Sequence, residues 1–295
     1  MPRPPRKQFA EALYHVTSRG NGRARIFFED ADRTCFLKQL QDCLENYQVV
    51  LYAYVLMPNH YHVLVRTRHP NLSRFMQRLN TSYALYSRYK HQKPGHRLEG
   101  RYKAKLVQGD DYILTLTRYL HLNPVKGKAM GKVGTAERRR HLETYGWSSY
   151  RGYVDERRQE DFVCYDILKM LSGNPRTARR RYRKYVCGFL MKDDGELREA
   201  LERSGHGIGD EGFVDELEQE LRDRKMGAAR DRDVDYPVER ISMDRIDEAV
   251  ATEFGTTVEA LKTHGHSAGA GVAKAIVLEL SCRLTGLTQR DIGLR

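Results

Sequence analysis

The chain has 295 residues, with 51 Lys and Arg against 39 Asp and Glu, and 40% of its residues are hydrophobic. That apolar content supports at least one core and excludes a disordered chain, while the length suits about two domains. The longest apolar run, VVLYAYVLM at 49–57, falls well short of the roughly 18 residues a membrane helix needs, and MPRPPRKQFAEAL has no apolar segment after its charges, so a cytoplasmic protein is expected.

In chain order, LYHVTS (13–18) reads as a strand ending in the turn signal RGNGR. Residues 30–47 place Phe36, Leu37, Leu40 and Leu44 at a helical period, with Asp30 or Asp32 at the start. Two strand-like runs follow, 48–57 and 60–67, split by Pro58-Asn59, and their spacing predicts an antiparallel hairpin. A second helix fits 71–90. After the loop HQKPGHRLEG comes a short strand, YKAKLVQ, and then a third helix from Asp110-Asp111. The order β-α-β-β-α-β-α predicts an α+β fold: a ferredoxin-like antiparallel sheet with helices on one face. WSSYRGYV (147–154) closes this domain, which the composition bounds at 1–155.

Beyond it the chain changes character. Residues 1–186 hold 36 Lys and Arg against 16 Asp and Glu, whereas 187–295 hold 15 against 23. A basic front half is the electrostatic footprint of a polyanion binder. Its interleaving with tyrosine, as in SRYKHQK and GRYKAK, favours nucleic acid over a merely solvated surface. RTARRRYRKYV (176–186) predicts an arginine-rich helix, a further backbone clamp. Residues 156–236 read as a connecting region, basic and then acidic, and 237–295 as a compact helical domain. Five scattered cysteines, without a CxxC, argue against a disulfide framework or a thiolate zinc site.

The chemistry is concentrated in LMPNHYHVLV (56–65). In a strand His60 and His62 share one face and Tyr61 takes the other, with the two histidine Cα atoms roughly 7 Å apart. Two such imidazoles can share a metal ion, given a third ligand. They can equally be hydrogen-bonded core or surface histidines. Downstream, in TLTRYLHLNPVKGK (115–128), a helix over 111–123 puts Tyr119 and Asn123 at i and i+4 on one face. That pair can serve as nucleophile and oxygen ligand, or Tyr119 can be a core aromatic. Pro124 ends or kinks the helix there.

Together, YHVTSRGN (14–21), MPNHYHVLV (57–65), GRYKAKLVQ (100–108) and RYLHLNPVKGK (118–128) resemble the single-tyrosine HUH transposases, and among them the REP-associated tyrosine transposases. The resemblance covers about the first 150 residues. It implies a ferredoxin-like catalytic domain in which His60 and His62 hold a divalent ion, Mg²⁺ or Mn²⁺, with Asn123 as third ligand. It makes Tyr119 the nucleophile, forming a 5′-phosphotyrosine with single-stranded, hairpin-bearing DNA such as REP palindromes. A monomer is expected ahead of a homodimer. Arg19, Arg23, Arg25, Arg101, Lys103 and Lys105 surround that site as candidate phosphate contacts or solvated surface charges. His15, on the first strand, either lies nearby or packs structurally.

Family members of this kind end soon after the catalytic domain, and this chain continues. Residues 241–295, through DRIDEAVATEFGTTVEAL and AKAIVLELSCRLTGLTQRDIG, resemble the helix-turn-helix domain of the bacterial chromosomal replication initiator. There TQRDIGLR would begin the recognition helix. A helical dimerisation or regulatory module is the alternative. For the whole chain, the readings that compete with a strand transferase are a DNA-binding regulator without catalysis and an HUH replication initiator or relaxase.

Overall fold

The computed structural model describes residues 8–92, 95–109, 111–126, 130, 133–192, 195–227, 242–262, 273–274, 276–277 and 280–281. They fall into two compact units, Met1–Arg230 and Asp231–Arg295.

The first unit begins with strand β1 (Ala12–Arg19), helix α1 (Asp30–Asn46), the hairpin β2 (Val49–Met57) and β3 (His60–Thr67), helix α2 (Leu72–His91), strand β4 (Lys103–Val107) and helix α3 (Asp111–Lys126). The sheet order is β2-β3-β1-β4, and every one of these pairs is antiparallel. This is the ferredoxin-like arrangement expected from the element order. A two-residue strand, β5 (Gly207–Ile208), joins β4 in parallel and makes the sheet mixed.

Both faces of the sheet are covered. On one, Tyr61 packs its ring against Phe36 of α1 and donates to Asn80 Oδ1 of α2 at 2.6 Å. On the other, the neighbouring residue His62 faces Tyr119 of α3. The expectation of helices on one face therefore holds for α1 and α2, and α3 lies opposite. The apolar run of β2 carries the reason. A strand buried on both sides has no polar face to alternate, and residues 51–56 are all buried.

Helix α3 runs on through Pro124 to Lys126 rather than stopping at 123. Proline deprives the Leu120 carbonyl of its helical donor, and the helix ends within a turn of it. Arg138, on α4 (Thr135–Thr144), then ties that end down: its guanidinium donates to the carbonyls of Val125 and Val133, both at 2.9 Å, and of Met130. This buried arginine gives no periodic signal, and α4 is not among the elements expected from the sequence.

Residues 147–208 continue the same core rather than merely connecting. Trp147 O and Leu51 O bond Leu56 N and Cys164 N across the β2 margin. Helix α5 (Tyr150–Val154) buries Tyr150 and Tyr153, and α6 (Pro175–Cys187) buries Ala178, Tyr182 and Val186. His121 of α3 sits fully buried between Tyr182 Oη, 2.6 Å away, and Ser149 Oγ, 2.9 Å away. The arginine-rich run thus forms the expected helix, and three of its arginines are held by backbone: Arg179 by Gly152 O, Arg181 by Leu171 O and Arg183 by Val154 O. Helices α7 (Gly195–Arg203) and α8 (Glu211–Gly227) flank β5.

In the second unit, α9 (Met243–Glu253) and α10 (Val258–Lys262) enclose a small core of Ile246, Val250, Ala251, Leu261 and Ala273. TQRDIGLR, the expected recognition helix, lies outside the described residues. Among the described residues no helix is long and apolar enough to cross a membrane.

Candidate active site

Strands β1 and β3 pair with Thr17 opposite His62 and Arg19 opposite His60. Cross-strand partners share a face, so His15, Thr17 and Arg19 of β1 lie on the side of the two histidines. On the other flank of β1, Lys103 faces Thr17 and Lys105 faces His15. One surface of the sheet therefore carries three histidines and a border of basic residues, with α3 above it.

Four aromatic rings meet there. The His60 and His62 rings lie 5.1 Å apart, nearly perpendicular. His15 lies parallel to His62 at 5.2 Å, and its Nε2 is 2.9 Å from His62 Nδ1. The Tyr119 ring stands edge-on to both, 6.0 Å from His62 and 5.9 Å from His15. Residues far apart in sequence thus form one connected cluster of rings, with His62 in contact with the other three. His15 belongs to the cluster as well, through alternation along β1.

Burial sets the protonation states. It is the main cause that brings His60 down to about 4, with the Arg19 charge adding to it. His15 is also lowered to about 4, by burial and then by Lys105. His62 lies well below its ordinary value, through burial and then its neighbours His15, His60 and Arg19. All three imidazoles are therefore neutral near pH 7, the form that can donate a lone pair. Burial raises the Tyr119 phenol above its ordinary value, so it is protonated at neutral pH.

The residues fit a divalent ion on their own hydrogen-bonding. His60 engages Asn59 Oδ1 through Nδ1 at 2.7 Å, and His62 engages His15 through Nδ1. Both Nε2 atoms are left out of these bonds. Ligating histidines are held in this way, with the far nitrogen tied to a supporting group. Among the described residues no cluster of three His, Cys, Asp or Glu side chains is arranged to hold a metal. Asn123, half-buried on α3, spends its Nδ2 on the Tyr119 carbonyl at 2.9 Å.

Of the basic residues expected around the site, Arg19, Arg23, Arg25, Arg101 and Lys103 are exposed. Lys105 differs: its ammonium donates to the carbonyls of Leu201 and Ser204, beside the end of α7. Burial lowers its pKa.

Residues 8–123 match the family model described as Transposase IS200 like. Among solved structures, the chain is similar to a REP-associated tyrosine transposase bound to a REP hairpin, at 12% identity and a TM-score of 0.42, over 57% of this chain and 93% of that one. A protein of Deinococcus radiodurans R1, provisionally described as a transposase, is similar at 17% identity and a TM-score of 0.30, over 40% of this chain and 93% of that one. No curated protein matches. His15, His60, His62 and Tyr119 all fall inside the stretch similar to this family model, residues 8–123, which is less than half of the chain.

Proposed function

We propose that the protein is a metal-dependent single-stranded DNA endonuclease and strand transferase acting on hairpin DNA through a covalent 5′-phosphotyrosine. The observation that carries this reading is the contact of the Tyr119 ring with the His62 ring, which in turn lies 5.1 Å from the His60 ring. His60, His62 and Asn123 would hold Mg²⁺ or Mn²⁺, which when bound polarises the scissile phosphate and offsets charge on its oxygens.

Arg19 and Lys103, on the histidine face, hold the DNA backbone by charge. The Tyr119 oxygen attacks phosphorus as the phenol gives up its proton, and the bond from phosphorus to the 3′ oxygen breaks. The departing 3′ oxygen takes up a proton and leaves as a hydroxyl. Burial raises the phenol pKa, so at neutral pH the nucleophile starts protonated and must lose its proton in forming the ester. The tyrosyl ester keeps the phosphodiester's bond energy, so a second 3′ hydroxyl can reverse the step and join a new end.

A labelled hairpin oligonucleotide with a single-stranded flank, incubated with the full chain and Mn²⁺, tests this. Wild type should yield a protein–DNA adduct that survives denaturing electrophoresis, and Tyr119→Phe should yield none. An adduct from Tyr119→Phe would remove Tyr119 as nucleophile, and no adduct from wild type would favour a DNA-binding regulator without catalysis.

A further inference from the structure

The turn before the histidine pair does more than connect two strands. Gly20 N donates to Asn59 O at 2.8 Å, and Ile26 N donates to Pro58 O at 2.9 Å. The segment after β1 is therefore strapped across the Pro58-Asn59 turn. The strap is tightly built. A Cβ on Gly20 would lie 2.0 Å from the Ala24 carbonyl oxygen, and Gly22 and Arg23 both take left-handed conformations, with φ of 59° and 61°. For Arg23, which has a Cβ, that backbone is uncommon.

What this arrangement delivers is one carbonyl. Arg23 O accepts from Asn59 Nδ2 at 3.2 Å, while Asn59 Oδ1 faces His60 Nδ1 at 2.7 Å. A carbonyl only accepts, so Arg23 O fixes which way the amide points. The amide oxygen then faces His60 and also only accepts. His60 must carry its proton on Nδ1, and its Nε2 keeps the lone pair. On the neighbouring ligand, His62 Nδ1 and His15 Nε2 share one proton across 2.9 Å. With that proton on His62, its Nε2 is bare as well.

We infer that Asn59, oriented by the Arg23 carbonyl, and His15 are positioning residues that hold His60 and His62 in the Nδ1–H tautomer, with both Nε2 lone pairs available to one ion. The inference rests on the proposed metal-dependent reading for its purpose, but the tautomers can be measured without metal, DNA or activity.

The experiment uses the full chain, metal-free and labelled with ¹⁵N-histidine, and reads each ring's tautomer by long-range ¹H–¹⁵N correlation. His60→Gln and His62→Gln serve to assign the signals. Wild type should show His60 and His62 protonated at Nδ1. Asn59→Ala should move His60 to the Nε2–H form or a mixture and weaken Mn²⁺ binding by roughly 10–100-fold. Asn59→Asp, which keeps the acceptor, should restore both readings. His15→Phe should release His62 and leave His60 unchanged. A wild-type spectrum with His60 protonated on Nε2 overturns the inference without any variant, so a poorly folded Asn59→Ala does not protect it. An unchanged His60 tautomer in folded Asn59→Ala overturns it too. If the tautomers respond as expected but wild type binds no Mn²⁺ by calorimetry, the positioning stands and the metal-dependent reading fails. Mn²⁺ binding with tautomers indifferent to Asn59 overturns the positioning and leaves the metal-dependent reading standing.

Discussion

The Tyr119 ring meets the His62 ring edge to face, with centroids 6.0 Å apart and planes at 87°. A strand of the sheet supplies one partner and a helix packed on that face supplies the other, so the contact exists only once the domain has closed. The Tyr119 hydroxyl makes no hydrogen bond among the described residues. Removing it strands no partner, and the stability change of Tyr119→Phe should stay within about 0.5 kcal/mol. Chemical denaturation measures this, and a larger loss would mean that the hydroxyl has a structural role.

His60→Ala and His62→Ala should separate binding from cleavage. Affinity for single-stranded DNA arises mainly from phosphate charge, which neither substitution alters, so it should hold within a few-fold. Cleavage should fall by more than the roughly 10–100-fold seen when only a supporting partner is lost. Parallel filter-binding and nicking assays would show it, and equal loss in both would indicate a damaged fold.

The basic residues divide by their surroundings. Arg19→Ala should weaken DNA binding across sequences and reduce the salt slope by about 1, as loss of one phosphate contact does. Lys105→Ala should leave the slope alone, because its ammonium serves the carbonyls of Leu201 and Ser204. It should instead cost about 1–3 kcal/mol of stability through those unpartnered acceptors. Salt titrations of affinity, with urea unfolding alongside, distinguish the two; a lowered slope for Lys105→Ala would return it to the DNA surface.

Acid should loosen the fold through His121. Burial takes its imidazole from the ordinary 6.5 down to about 3. Between those values the unfolded chain binds a proton that the folded chain does not, so stability falls as pH falls. The contribution is intact above about pH 6.5 and lost progressively toward pH 3. His121→Gln should be less stable at neutral pH, yet its melting temperature should decline less steeply on acidification. Calorimetry from neutral to acidic pH gives both curves, and parallel curves would clear His121.

Arg138 supports the tyrosine helix from outside the cluster. Arg138→Ala should destabilise the domain by about 2–3 kcal/mol, since buried carbonyls lose a charged donor. It should also reduce adduct formation by loosening the end of α3. Arg138→Lys should recover only part, because one ammonium cannot reproduce the planar fork. Unfolding curves read beside the adduct assay provide the check.

The sheet and its first helices were legible because their signals are local. The alternation around Tyr61 and the period of Phe36, Leu40 and Leu44 each lie within one element. His60, His62 and Tyr119 are legible as a pattern, but their placement in one site is implied only by the family resemblance, since no spacing says which face of the sheet a third helix will take. The unbroken apolar run of β2 held that information, because a strand with no polar side needs cover on both. His15 was placed near the cluster only as one of two readings, and alternation along β1 could have resolved it once the register with β3 was known. Asn59, Arg138 and His121 work through bonds to backbone or to distant side chains. Such roles leave no periodic trace, and the acidic stretch near Gly207–Ile208 gave no strand signal at all.

Both margins of the sheet are occupied by later chain: residues 147–149 and 163–164 run along β2, and β5 lies against β4. An open margin would offer unsatisfied peptide groups to any passing strand, including one from a second copy. Here those groups are largely spoken for, so the domain is protected from growing edge to edge into aggregates. Self-association, where it occurs, has to run through side-chain surfaces instead. Trimming the protein to its family-matched front would reopen both rims, and such a fragment should precipitate where the full chain does not.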